Sequence, residues 1–91
     1  MLDPLSRQIF DAIRYTPDFY RFHEYDQPFP GLPGRTVGEL EPQLQQLTDM
    51  KLIVRGLVVP EQAAFNLIQI ANPAKNPQTM LLMQRYGLLD N

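Results

Sequence analysis

The chain contains no cysteine, and histidine and serine occur once each, as His23 and Ser6. Without cysteine the chain can form neither disulfides nor thiolate metal sites, which fits a reducing compartment. A single histidine excludes a histidine-rich metal centre. Ser6 lies in the first turn of a predicted helix with no general base at hand. We therefore predict no catalytic residue, no metal site and no cofactor, and hence a protein that is not an enzyme.

The sequence also lacks long apolar runs and an excess of positive charge. No apolar run approaches the ~18 residues needed to cross a bilayer. The first residues do not combine a charged segment with an apolar one, so we expect no secretory signal, no membrane partner and a cytoplasmic location. Ten acidic residues against eight basic ones give a net charge of −2, without a basic stripe. Because such a stripe supplies most non-specific affinity for phosphates, this balance argues against a dedicated nucleic-acid binder.

Ninety-one residues, 44% of them hydrophobic and 20% charged, are typical of one small globular domain with one core. The nine prolines predict stiff connections and short helices. We expect a single α+β domain over residues 1–91, with three to four short helices and a two-stranded antiparallel β-hairpin.

Three dipeptides combine a helix-capping residue with a proline, which lacks only an N–H that the first turn leaves unpaired anyway. They are Asp3-Pro4, Thr16-Pro17 and Asn76-Pro77, and they predict helices over about 4–15, 17–23 and 77–86. Gly87 is placed to end the last helix in a left-handed C-terminal cap.

The middle of the chain predicts a further helix over about 37–50. Thr36 and Glu39 form the Thr-x-x-Glu capping box. Pro42 interrupts the pattern, since proline inside a helix removes a hydrogen bond. The helix either kinks or forms one turn and restarts with Glu41 as its cap, and we favour the restart. The apolar positions at helical spacing are Val37, Leu40, Leu44 and Leu47.

Two apolar, β-branched segments follow and predict strands at about 52–59 and 65–71. The intervening residues 59–62 suit a type I turn. Gly56 inside the first strand suggests a bulge. Segment 26–35 contains three prolines and two glycines, and we expect a loop without regular structure there.

The pattern Leu44-x-x-Leu47-x-x-x-Lys51-Leu52-Ile53-Val54-Arg55 leads a helix directly into a strand. This arrangement resembles the recognition helix and wing of the winged-helix (winged helix-turn-helix) superfamily, and the resemblance covers residues 36–71. It implies that the helix enters the major groove of DNA while the wing contacts the backbone. The implied nucleic-acid contacts are Gln43, Gln45, Gln46 and Thr48 for bases and Arg35, Lys51 and Arg55 for phosphates.

Segment 19–29 holds five of the nine aromatic residues, namely Phe19, Tyr20, Phe22, Tyr25 and Phe29. Aromatic side chains prefer burial, so they can form the core of a small protein. They can also form an exposed patch that binds a partner protein. Both alternatives stay open at this point.

The last helix carries apolar side chains all round its axis, and such a helix is normally buried on every side. We therefore expect a homodimer interface formed by Met80, Leu81, Leu82, Met83 and Tyr86. The alternative is that the wing or the chain termini cover this helix.

Winged-helix folds serve both DNA binding and protein binding, and the fold alone does not choose between them. Here Glu39, Glu41 and Asp49 flank the helix that would meet DNA. We favour a protein-interaction module with an assembly or regulatory role. The alternative is a DNA-binding transcriptional regulator that uses helix 37–50 and wing 52–71.

Overall fold

A computed structural model describes residues 2–19, 23–58 and 65–89. Within these ranges the chain forms helices and antiparallel strands, which confirms the predicted α+β class. The helices are α1 (Pro4–Tyr15), α2 (Glu41–Asp49) and α3 (Pro77–Arg85), with 3₁₀ helices at Gly38–Leu40 and Pro73–Lys75. The strands are β1 (His23–Glu24), β2 (Pro28–Phe29), β3 (Leu32–Thr36), β4 (Ile53–Val58) and β5 (Phe65–Ile70).

Strands β4 and β5 form the predicted hairpin at nearly the predicted bounds. Their register runs without interruption from Ile53 opposite Ile70 to Val58 opposite Phe65. The predicted bulge at Gly56 is therefore wrong. A Cβ added at Gly56 would lie 3.6 Å from the Cβ of Leu67 on the paired strand, which is an ordinary van der Waals contact. The predicted turn at 59–62 lies outside the described residues.

A short strand that the sequence did not predict extends this hairpin into a sheet. His23 pairs with Asn66 and Glu24 pairs with Phe65, which gives the strand order β1-β5-β4. The helix predicted over 17–23 is wrong in its described part, since residues 17–19 form a turn and His23 lies in β1. Asp18 has φ +56°, a left-handed conformation that a right-handed helix does not continue through.

Segment 26–35, expected to lack regular structure, forms most of a second antiparallel pair, β2 with β3. Proline removes a ladder donor, but a two-stranded ribbon consists of edges, where that donor is not needed. Gly31 supplies the reversal with φ +85°. A Cβ at Gly31 would lie 2.8 Å from Thr16 Oγ1, so the turn also packs closely against the end of α1.

The outer helices begin and end as their cap residues predict. Asp3 accepts a hydrogen bond from the Ser6 N–H at 3.3 Å. Asn76 Oδ1 accepts one from the Gln78 N–H at 2.9 Å. Gly87 has φ +66° and follows α3, while the Leu88 N–H donates to the Met83 carbonyl at 2.8 Å. This is a Schellman motif, in which Leu88 is buried.

The central helix consists of two segments, as favoured from Pro42. Glu39 N–H donates to Thr36 Oγ1 at 3.2 Å and the Thr36 N–H donates back to the Glu39 carboxylate at 3.2 Å, which confirms the capping box. The expected cap role of Glu41 is wrong. Leu40 occupies the N-cap position of α2 without a side-chain hydrogen bond, and Glu41 is the first helical residue.

The described core is one cluster between the helices and one face of the three-stranded sheet. Helix α3 joins it at both ends. Thr79 is buried and its Oγ1 donates to the Lys51 carbonyl at 2.6 Å. At the other end Arg7 Nη1 donates to the Tyr86 carbonyl at 3.1 Å and Arg14 donates to the Leu88 carbonyl. Among the described residues, no helix has the length and apolar character to span a membrane.

Candidate interaction surfaces

An ion pair joins the start of α2 to the hairpin. Arg55 Nη1 and Nη2 donate to the two carboxylate oxygens of Glu41, each at 2.8 Å. The Arg55 side chain is 10% exposed and that of Glu41 is 40% exposed. Arg55 lies opposite the buried Ile68 in the register, so its side chain projects from the same face of the sheet as the core, and it extends to Glu41 at the start of α2. Two parallel charged hydrogen bonds hold the guanidinium in a fixed orientation.

This pair changes the role assigned to Arg55 from the sequence. The winged-helix resemblance made Arg55 a phosphate contact, but its two terminal nitrogens are occupied by Glu41. Freeing them for a phosphate would leave the carboxylate without its partner. The sequence carried no signal for this contact, because the two residues are fourteen positions apart on different elements.

The remaining positions implied for DNA are distributed around α2. Gln45 and Gln46 are exposed, and Gln45 Nε2 donates to Asp49 Oδ1 at 2.9 Å. Gln43 is half-buried, and its Oε1 is buried without a hydrogen-bond partner among the described residues. Thr48 Oγ1 donates back to the Leu44 carbonyl of its own helix at 2.7 Å.

The charges around this helix are mostly acidic. Glu39 and Asp49 are exposed and Glu41 is half-exposed. The cations implied for phosphate that stay exposed are Arg35 and Lys51. Lys51 follows α2 in a left-handed conformation with φ +64°. An amide surface flanked by carboxylates can exchange hydrogen bonds with a protein, whereas a phosphate backbone is repelled there.

The five candidate aromatic residues do not share one environment. Phe19 and Phe29 are buried in the core, with ring centroids 5.2 Å apart and ring planes inclined at 53°. Tyr25 is 38% exposed. Tyr20 and Phe22 lie outside the described residues. For Phe19 and Phe29 the core alternative holds, and an exposed partner-binding patch that includes them is wrong.

Helix α3 is not exposed on all its apolar sides. Met83 is buried, while Leu82 and Tyr86 are half-buried against the core cluster. Met80 is half-buried as well. Leu81 alone among these five is exposed, at 58%. The body of the protein therefore covers much of the predicted dimer interface, and its accessible part centres on Leu81.

A cleft that sequence reasoning did not identify lies at the end of the hairpin, next to the start of α3. Its volume is about 430 Å³. It brings together two exposed lysines, Lys51 and Lys75, from elements that are distant in sequence. The cleft is lined by Lys51, Ile53, Val54, Gln69, Ile70, Ala71, Asn72, Lys75, Asn76 and Thr79. No local motif predicts this arrangement, since the β4–β5 register creates it.

The described residues contain no group of three or more histidine, cysteine, aspartate or glutamate side chains placed to hold a metal ion. Comparison of the chain with protein-family models, curated proteins and solved structures found no match.

Proposed function

We propose that the chain is a non-enzymatic protein-interaction module with a regulatory or assembly role. The observation that carries this proposal is the bidentate Glu41–Arg55 pair. It supports protein binding over DNA binding because it occupies the two terminal nitrogens of one of the three cations that the winged-helix resemblance assigns to phosphate. The rim of a protein interface is polar and carries direct hydrogen bonds, whereas phosphate binding needs uncompensated cations. The cytoplasmic location predicted from the sequence belongs to the same proposal.

Self-association through α3 is part of this proposal. Leu81 is 58% exposed in the middle of a helix whose ends are held by Thr79 and by the arginines of α1. A large aliphatic side chain on a rigid helix is a suitable centre for a small isologous contact, in which two copies present the same surface. The half-buried Met80 can contribute its exposed part to such a contact.

Sedimentation velocity at high micromolar concentration tests self-association. We expect a dimer in the unchanged protein and a monomer in Leu81→Glu, with dimer affinity lowered at least about tenfold because the contact would bury an unpaired carboxylate. Gln46→Glu adds the same charge to an exposed position on α2 and should leave the dimer intact. Substitutions at Met83 are unsuitable, since this side chain is buried within the monomer.

The DNA-binding alternative is tested by fluorescence anisotropy with a labelled duplex of random sequence at low salt. Our proposal predicts no saturable binding. Binding that weakens steeply with salt and falls further in Lys51→Ala or Arg35→Ala would overturn it, since phosphate contacts have that signature.

A further inference from the structure

Residues of two adjacent cross-strand pairs of β4 and β5 line the cleft at the end of the hairpin. Ile53 lies opposite Ile70, and Val54 lies opposite Gln69. Directly opposed residues project to the same face of a sheet, so Val54 and Gln69 lie side by side on the face away from the buried Ile53. Val54 is 56% exposed, so this face of the edge strand β4 offers an aliphatic side chain to a ligand.

Hydrogen bonds within the protein fix the residues that line the cleft. Thr79 Oγ1 donates to the Lys51 carbonyl at 2.6 Å, and the Ala71 N–H donates to the Leu52 carbonyl at 3.0 Å. Asn72 Oδ1 accepts a hydrogen bond from the Ala74 N–H at 2.9 Å, which fixes the start of the 3₁₀ helix Pro73–Lys75. A cleft whose lining is already fixed loses little conformational entropy when a ligand enters.

The charge of the cleft is opposite in sign to that of the whole chain. Lys51 and Lys75 are exposed on its lining, and none of its ten lining residues is acidic. Neither lysine has a carboxylate partner among the described residues. In a chain of net charge −2, this local positive charge attracts an anionic group.

The strand β4, whose Ile53 and Val54 line the cleft, also has an edge with backbone groups that can pair with a ligand. β4 is the last strand in the order β1-β5-β4, and its outer edge is not paired with another strand in the part of the chain that the structure describes. An extended peptide can add to such an edge through main-chain hydrogen bonds, with its alternate side chains reaching the face beside it.

We propose that this cleft binds an extended peptide segment of a partner protein, in which an acidic side chain lies close to an aliphatic one. The carboxylate is placed between Lys51 and Lys75, and the aliphatic side chain packs on Val54. This inference rests on the proposed function as a protein-interaction module. Two cations beside an aliphatic side chain favour a peptide over nucleic acid, because a nucleic acid gains affinity from many phosphate contacts and gains nothing from Val54.

Fluorescence anisotropy with two labelled peptides tests the proposal. One alternates valine with glutamate, and the other has glutamine in place of every glutamate. We expect saturable binding of the acidic peptide and at least about tenfold weaker binding of the glutamine peptide. Lys51→Glu and Lys75→Glu should each weaken the acidic peptide about fivefold or more, since reversal replaces an attraction by a repulsion. Arg35→Glu, an exposed cation outside the cleft, should change nothing.

Val54→Ser separates a specific cleft from a general charge effect. It should weaken the acidic peptide about threefold or more while leaving the salt dependence of binding unchanged, because it removes apolar contact and no charge. Far-UV circular dichroism of each variant confirms that the fold is retained.

Each other outcome overturns the inference. Absence of binding, equal affinity for the two peptides, or an equal loss in Arg35→Glu would each show that the cleft does not select an acidic peptide. Displacement of the peptide by low-millimolar inorganic phosphate would show a site for small anions. If the acidic peptide does not bind but Leu81→Glu still dissociates a dimer, the proposed function stands without this site. If a DNA duplex binds and Lys51→Glu and Lys75→Glu weaken its binding as they weaken that of the peptide, the proposed function and this inference are both wrong.

Discussion

Replacing either partner of the Glu41–Arg55 pair should destabilise the protein, and by unequal amounts. Glu41→Gln keeps the shape of the side chain but removes the Glu41 charge from a guanidinium that is 10% exposed. Arg55→Met fills similar space and leaves a carboxylate that is 40% exposed and can be hydrated. Losing an ionic partner costs more where water cannot replace it, so the glutamine variant should be the less stable of the two.

The size of the effect follows from the geometry. Breaking a fully buried pair costs about 3–5 kcal/mol, whereas an exposed pair contributes about 0–1 kcal/mol. This pair lies between those limits, since one side chain is largely buried and the other is not. We expect a loss of about 2 kcal/mol in unfolding free energy for Glu41→Gln and about 1 kcal/mol for Arg55→Met. The double variant should lose less than the sum, because the two losses share one interaction.

Urea unfolding followed by far-UV circular dichroism measures all four members of this cycle. A coupling of about 1 kcal/mol or more between the two positions confirms that the pair holds the start of α2 to β4. Additive losses, or a larger loss in Arg55→Met than in Glu41→Gln, would refute the reasoning.

Two further predictions concern local geometry and pH. Gly31→Ala should cost about 2 kcal/mol or more in urea unfolding, because φ is +85° and the new Cβ would lie 2.8 Å from Thr16 Oγ1. Gly34→Ala, with φ +95° and open space, should cost only about 1 kcal/mol. Hydrogen bonding by Ser6 lowers the pKa of Asp3 in the folded state, so the ionised carboxylate stabilises the fold above its unfolded pKa. This advantage over Asp3→Asn should be lost as the pH falls through the folded pKa, and an advantage unchanged at about pH 2 would contradict it.

The features that the sequence predicted well depend on contacts within a few residues. The caps at Asp3 and Asn76 and the box formed by Thr36 and Glu39 are closed by partners two or three positions away. Gly87 ends α3 for an equally local reason. The β4–β5 hairpin is less local, since its pairs run from Val58 opposite Phe65 to Ile53 opposite Ile70, but its two strands follow one another in the sequence and carry a clear apolar pattern.

The features that the sequence missed depend on distant partners. β1 forms because β5 offers a free edge, and no periodicity is available over two residues. The β2–β3 pair lies in a proline-rich segment that composition assigns to a loop, but its turn packs on α1 at Gly31. Burial of Phe19 against Phe29 and the pairing of Arg55 with Glu41 likewise join separate elements.

The same distinction explains the candidate surfaces. Leu81 differs from the other apolar residues of α3 because the core buries Met83 and partly covers Leu82 and Tyr86. Lys51 and Lys75 line one cleft because β4 and β5 bring their ends together. Only the assembled fold decides which apolar and charged side chains remain accessible to a partner.

The central claim is that this chain binds a protein and not a nucleic acid, and amide chemical shifts test it most directly. ¹⁵N-labelled protein is observed in a dilution series and then with a DNA duplex added at low salt. The account predicts that dilution shifts the amides around Leu81, while DNA leaves those of residues 43–48 and Lys51 unchanged. Shifts of the α2 amides on addition of DNA, with none around Leu81 on dilution, would contradict it.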